Sequence, residues 1–189
     1  ALPILATAGA ARSIAVLDAP VSGGDIGARN ATLSIMVGGS PEGFERALPL
    51  FQRLGKTIIH QGPAGSGQYT KLCNQVAIAS TVLGVMEALA YVEGAGLDPE
   101  RVLESIGSGA AASWTMSNLY PRAARGDYAP GFAVRHFLKD MGIAHRAADG
   151  MGLRLEGLAL AERLFEELRA HGGGDLGTQA FVTEVRRQD

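Results

Sequence analysis

Apolar residues in the first third of the chain form short runs separated by glycine and proline, a pattern typical of strands in an α/β layer. Residues 2–12 resemble the end of a helix. Three runs predict strands, with the first interpreted as a buried strand: IAVLD (14–18), TLSIMV (32–37) and KTIIH (56–60).

A helix is predicted between the second and third strands. Ser40 is a good N-cap, Pro41 suits the first helical position, and Glu42 places an acid in the first turn. Phe44 and Phe51 continue with the 3.6-residue period of a helix that has one apolar face.

The pattern changes after Gly65. Residues 66–93 contain no proline and two glycines, Gly67 and Gly84, and apolar side chains occur on most faces. This predicts a long helix buried against other helices, about 40 Å in length at about 1.5 Å per residue. Further helices are predicted from Asp98-Pro99-Glu100 onward, from Ser113 to about Ala124, and over 132–148, 155–171 and 178–187, with a break at 172–174.

The chain therefore joins a partial α/β layer to an all-α region. We predict two domains, residues 1–64 and 65–189, with the long helix at the boundary. The chain also opens with the end of a helix and without an initiating methionine, which favours a start in the middle of a domain.

Composition excludes several classes of protein. The 189 residues carry a formal net charge of −2 and no basic stripe, so we expect no nucleic-acid partner. The single cysteine, Cys73, cannot form an internal disulfide, and we interpret it as a small core residue. No membrane span and no signal peptide are predicted, and the cytoplasm is the expected location.

The first candidate site is DAPVSGG (18–24), which directly follows the first predicted strand. Ligands of open α/β sheets bind outside the carboxyl ends of strands. Gly23 and Gly24 allow close approach of the backbone, their N–H groups can form an anion nest, and Ser22 adds a hydroxyl. This chemistry suits a substrate carboxylate, although an ordinary turn has the same composition.

The second candidate is GPAGSGQYTKLCNQ (62–75), a glycine-rich loop that leads into the long helix. Lys71 shares one helix face with Asn74 and Gln75, at spacings of three and four residues. Burial would lower the pKa of a lysine toward neutrality, which suits a general acid or base. The alternative is a lysine in the first helical turn that extends to solvent.

Other motifs are weaker. The glycine-rich loop lacks the spacing of a P-loop and of the G-x-G-x-x-G dinucleotide fingerprint, and the four histidines show no metal-binding spacing. We therefore predict no metal site. In FLKDM (137–141), Lys139 and Asp140 interrupt an apolar helical pattern, which is also typical of a solvated helix face.

In this order, DAPVSGG with TLSIMVGG, GPAGSGQYTKLCNQ and FLKDMGIA resemble three motifs of the β-hydroxyacid dehydrogenase family. The resemblance implies the C-terminal part of a Rossmann-like domain, a long interdomain helix and an all-helical domain. It implies that Ser22, Gly23 and Gly24 hold the substrate carboxylate, that Lys71 transfers the proton, and that Lys139 lies near the cofactor, NAD or NADP.

By the same resemblance, Asn74 orients a small β-hydroxyacid or its semialdehyde, and Gln75 takes the place of the family's usual asparagine. The Rossmann half with the glycine-rich turn would precede Ala1. We expect a homo-oligomer, either a dimer or a tetramer. The alternative is a catalytically inactive, truncated helical module for binding or dimerisation.

Overall fold

A small sheet organises the first part of the chain. The computed structural model describes residues 2–187, which divide into two compact units, Ala1–Asn74 and Gln75–Asp189. The sheet of the first unit has the strand order β1-β2-β3, with β1 antiparallel and β3 parallel to the central strand. The strands are β1 (Val21–Ser22), β2 (Leu33–Gly38) and β3 (Gly55–Gly62).

Helices α1 (Leu2–Ala10), α2 (Gly24–Arg29) and α3 (Pro41–Phe51) accompany this sheet. The predicted start of α3 is confirmed, since the Ser40 hydroxyl accepts a hydrogen bond from the N–H of Gly43 at 3.1 Å. Helix α3 connects the parallel strands β2 and β3. Apolar side chains of α3 and both strands form the core of this unit, with Leu33, Ile35 and Val37 buried and Phe44, Phe51 and Ile58 packed against them.

The strand predicted over 14–18 is wrong. The N–H of Ile14 donates to Gly9 O at 2.9 Å and so closes the turn after α1, and the Ile14 side chain is 57% exposed. Pairing begins only at Asp18, which forms an isolated bridge with Gly38. A short apolar run shows that a segment can be extended, but a strand needs a neighbouring strand along its length.

The long helix α4 (Ser66–Gly94) confirms the predicted extent. Its buried side is narrower than predicted, because Cys73 and Ser80 are exposed, and the interpretation of Cys73 as a core residue is wrong. Cys73 lies about 200° around the helix from Gln75, where the buried side begins. The most buried positions of α4 alternate in spacings of four and three residues, namely Gln75, Ala79, Val82, Met86 and Leu89, with Leu83, Val85 and Val92 buried beside them.

Helix α4 is also the one described helix that is long and apolar enough to cross a membrane, by length and composition only. Val82 and Met86 on its buried side are fully enclosed within the second unit. The core helix of a globular domain has the same length and composition, so this feature alone does not indicate a membrane span.

Further helices complete the second unit. In their core the ring centroid of Phe165 lies 5.2 Å from that of Phe137, which it meets edge-on, and 5.2 Å from that of Phe181. These helices are α5 (Pro99–Ile106), α6 (Trp114–Asn118), α7 (Tyr120–Ala124), α8 (Val134–Gly150), α9 (Glu156–Ala170) and α10 (Val182–Val185), with 3₁₀ turns at Gly173–Asp175 and Thr178–Phe181.

Two predictions about these helices differ from the structure. The helix predicted from Ser113 to Ala124 is divided at Leu119, because Pro121 has no N–H and its ring would clash with the carbonyl of Ser117. The helix predicted over 178–187 is a 3₁₀ turn followed by the short α10. The general order, an α/β part followed by helices, is as predicted.

Candidate functional site

The DAPVSGG segment runs along the sheet and turns at its two glycines. Ser22 pairs with Ser34 of β2 and is half-buried. Gly23 and Gly24 have φ values of 128° and 62°, in the region that favours glycine. A Cβ on Gly24 would meet no atom within 4 Å, so the backbone is open to a small ligand there.

Asp18 begins the same segment and is 4% exposed. Its backbone exchanges two hydrogen bonds with Gly38, at 3.0 and 2.7 Å. Its carboxylate accepts from the N–H of Gly65 at 2.7 Å and from the N–H of Gln68 at 2.9 Å. Asp18 therefore connects the end of β2 to the start of α4.

Glycines make this close contact sterically possible. A Cβ on Gly38 would lie 2.5 Å from Asp18 Oδ1, and a Cβ on Gly67 would lie 2.3 Å from the carbonyl oxygen of Met36. Both separations are shorter than real side chains tolerate, so the first turn of α4 packs directly on the backbone of β2.

Lys71 and Asn74 lie in the first turns of α4 and are both half-buried. Lys71 follows Gln68 by three residues, which is nearly one helical turn. The helix therefore extends without interruption from the residues that Asp18 holds to the lysine.

Gln75 is enclosed in the second unit, with an exposed fraction of 2%. Its Nε2 donates to Asp140 Oδ2 at 2.7 Å, and Lys139 Nζ lies 2.8 Å from Asp140 Oδ1. The Lys139 side chain is 64% exposed and that of Asp140 is 16% exposed. A solvated face thus describes Lys139 but not Asp140, whose Oδ2 joins α8 to α4 while its Oδ1 pairs with Lys139 on the same helix.

Asp18 and Asp140 were not predicted as site residues. Both stand inside the motifs, and each is an acidic residue beside apolar positions of its element. A buried carboxylate needs hydrogen-bond donors, which was the available signal. The donors lie 47 and 65 residues away along the chain, so local spacing could not identify them.

Two family models match the chain. Residues 65–185 match the family model described as NAD-binding of NADP-dependent 3-hydroxyisobutyrate dehydrogenase. Residues 4–62 match the NAD binding domain of 6-phosphogluconate dehydrogenase.

Individual proteins are also similar to this chain over most of its length. Over 177 residues the chain is 54% identical to an uncharacterized oxidoreductase, YkwC, of Bacillus subtilis, covering 94% of this chain and 62% of that protein. Over 166 residues it is 42% identical to the 2-hydroxy-3-oxopropionate reductase of Escherichia coli K12, covering 88% of this chain and 57% of that protein. The 3-hydroxyisobutyrate dehydrogenase of Mycobacterium tuberculosis, solved with L-serine, is 30% identical, with a TM-score of 0.89 over 98% of this chain and 66% of that chain.

These matches define a class, the dehydrogenases that bind a nicotinamide nucleotide. The chain belongs to the β-hydroxyacid dehydrogenase family. The predicted fold class, with part of a Rossmann-like domain followed by a helical domain, is confirmed, and so is NAD or NADP as the cofactor of the family. The chain spans 51% to 62% of the length of the curated relatives.

Proposed function

We propose that the natural full-length protein is an oxidoreductase that transfers a hydride between NAD or NADP and a small β-hydroxyacid or its semialdehyde. The observation that carries the proposal is the place of Lys71. It brings an ammonium group to the first turns of α4, beyond the helix start that Asp18 holds. The names of the E. coli and M. tuberculosis relatives support the reaction class.

In this proposal Lys71 moves the proton of the reaction. When an aldehyde is reduced, the carbonyl carbon gains a hydride and the carbonyl oxygen gains a proton. The charged Lys71 donates that proton. When the hydroxyl group is oxidised, the neutral amine of Lys71 accepts the hydroxyl proton as the hydride leaves carbon.

Ser22, Gly23 and Gly24 bind the carboxylate of the substrate. The open backbone at Gly24 and the Ser22 hydroxyl offer neutral donors, which suit a single negative charge on a small acid. Asn74 orients the substrate from the face of α4 that also carries Lys71. We assign Gln75 to substrate binding as well, with its amide hydrogen-bonded to Asp140.

The cofactor supplies or accepts the hydride when it is bound. Among the described residues, Lys139 has the chemistry to contact it, because its largely exposed ammonium can approach an anionic group while Asp140 holds its position. The one G-x-G-x-x-G spacing in the sequence, Gly172–Gly177, follows helix α9 and not a strand, so it is not the strand–turn–helix that binds a pyrophosphate. The residues present thus suit part of a nicotinamide nucleotide.

The proposal is tested by assaying the natural full-length protein with NADH and NADPH on tartronate semialdehyde, and with NAD and NADP on 3-hydroxyisobutyrate. Lys71→Ala should lower kcat by about 10²–10⁴-fold, the contribution of a general acid or base. Lys71→Arg should be equally impaired, because a guanidinium keeps the charge but does not release its proton.

Lys56→Ala is the matched control, since Lys56 is exposed on β3. It should leave kcat close to the wild-type value. Near-full turnover by Lys71→Ala would contradict the role of this lysine. A wild-type protein that turns over none of these acids with either cofactor would contradict the proposed reaction.

A further inference from the structure

The buried carboxylate of Asp18 has no part in the proton and hydride transfers described above. Asp18 begins the segment that carries Ser22, and its carboxylate accepts hydrogen bonds from the start of the helix that carries Lys71. Both of its oxygens are used within one unit, by Gly65 N at 2.7 Å and Gln68 N at 2.9 Å. The structural role of this carboxylate therefore lies at the start of α4.

The first N–H groups of a helix have no partner within the helix and need an acceptor. A carboxylate at this end also interacts favourably with the helix dipole. Helices α3, α5 and α6 receive such an acceptor from the residue just before them; for α5 it is Asp98, which accepts from Glu100 N at 2.9 Å. Helix α4 receives it from a residue 47 positions earlier, on the edge of the sheet.

This long-range cap fixes the helix to the sheet with little freedom. The backbone of Asp18 is paired with Gly38 of β2, and β1, which carries Ser22, is paired with the same strand. The glycine at position 67 brings the helix within contact of the carbonyl of Met36. Strand β2 is thus the common support of the carboxylate-binding turn and of the helix that bears Lys71.

We propose that Asp18 is a positioning residue for proton transfer: by capping α4 from the sheet, it holds Lys71 in register with the carboxylate-binding turn Ser22–Gly24. This inference rests on the function proposed above. A displacement of about 1 Å at a reacting group can cost about a hundredfold in rate, so a loose helix start would reduce turnover.

The test compares Asp18→Asn with Asp98→Asn in the natural full-length protein. Asparagine keeps the size but replaces one acceptor oxygen with an NH₂ group that would face an N–H donor. For Asp18→Asn we expect kcat to fall by about tenfold to a hundredfold. The KM for the hydroxyacid should change little, because the backbone pairs of β1 hold Ser22. The solvent deuterium isotope effect on kcat should rise, because proton transfer becomes slower.

Asp98→Asn makes the same change at the start of α5. The amide oxygen can still cap the helix, but the loss of charge beside the helix dipole and Arg101 should lower thermal stability without altering kcat or the isotope effect. The inference is overturned if Asp18→Asn keeps the wild-type kcat and isotope effect. It is also overturned if Asp98→Asn reproduces the kinetic changes, because general destabilisation then explains them.

A second pair of variants applies if Asp18→Asn does not fold. Gly67→Ala places a methyl group 2.3 Å from Met36 O and 2.8 Å from Asp18 Oδ2, which displaces the helix start while the carboxylate remains. Gly84→Ala, on the same helix, meets nothing within 4 Å. The inference requires the loss of kcat and the larger isotope effect in Gly67→Ala only, and equal kinetics in both variants overturn it.

The two proposals fail in different ways. If the wild type turns over no hydroxyacid, the proposed function fails and the role of Asp18 fails with it. If the wild type is active, Lys71→Ala is impaired and the variants of the helix start behave as wild type, only the role of Asp18 is wrong.

Discussion

Gln75 differs from the family's usual asparagine by one methylene, and in the structure that added length reaches Asp140. The 2.7 Å hydrogen bond joins α4 to α8 inside the second unit. Gln75→Asn should leave this oxygen of Asp140 without its donor. We expect a loss of about 1–3 kcal/mol in the free energy of unfolding, the usual cost of an unsatisfied buried polar group.

Urea unfolding of the natural full-length protein measures this loss. Gln68→Asn is the matched control, because it makes the same change on an exposed position of the same helix. Its effect should stay within about 0.5 kcal/mol, as for most surface substitutions. Equal losses in the two variants would show that helix propensity, and not the Asp140 contact, is responsible.

At the scale of single residues, the sequence predicts which residue types carry the chemistry but not which contacts hold them in place. Lys71, Asn74 and Gln75 could be placed on one helix because the period of a helix is local. Asp18 could not be assigned, because the N–H groups from which its carboxylate accepts hydrogen bonds belong to residues 47 and 50 positions away. The assigned site roles themselves stay predictions until the variants are measured.

At the scale of single elements, the cap of α3 allows a direct prediction. Ser40→Ala removes the oxygen that accepts from Gly43 N. We expect a loss of about 0.5–2 kcal/mol in the free energy of unfolding. The Ser105 hydroxyl instead donates to the carbonyl of Arg101 within α5, so Ser105→Ala should cost little. Urea midpoints of the two variants compare a capping serine with a serine inside a helix.

The loop after α7 should respond to pH. Hydrogen bonds from the Arg122 side chain and then from the backbone N–H of Ala129 hold the pKa of Asp127 below its ordinary value of 3.8. The folded state therefore favours the ionised form. The resulting stability is present above pH 3.8 and is lost as the pH falls through the lowered pKa of the folded state.

Asp127→Asn should therefore melt at a lower temperature than wild type at neutral pH, and the difference should shrink as the solution is acidified below 3.8. Thermal melts over that pH series are the measurement. Asp149→Asn, on an exposed position of α8, provides the control. A difference that does not depend on pH would rule out the charge of Asp127 as its cause.

The start of a helix could be predicted where particular side chains mark it. The cap-then-proline pairs Ser40-Pro41 and Asp98-Pro99 gave the starts of α3 and α5, because a side-chain acceptor and a residue without N–H suit that position only. The strand predicted over 14–18 lacked such a signal. Apolar composition did not reveal that Ile14 closes a turn with Gly9.

At the scale of the whole molecule, the exposed side of α4 bears on assembly. Tyr91 and Leu97 are exposed and line an apolar groove with Val102 and Ile106. Exposed apolar surface of this kind favours association. We expect light scattering of the natural full-length protein to give the mass of a dimer or a tetramer, and the mass of a monomer would contradict this expectation.

The division into domains at residues 64 and 65 also stays a prediction. Compactness places the boundary between Asn74 and Gln75, inside α4, whereas the two family models meet near its first residue. The sequence marks where a pattern changes, at the glycine-rich loop. It does not show that one continuous helix runs through the boundary.

That continuity has a consequence for the tolerance of α4 to insertions and deletions. Each residue advances a helix by about 100°, so one residue added between Gln75 and Leu89 would rotate the buried positions that follow it out of the core of the second unit. A loop would absorb the same change. Natural length variation should therefore fall outside residues 66–94, and chimaeras of related enzymes joined within α4 should retain both their packing and their chemistry only when the junction conserves the residue count.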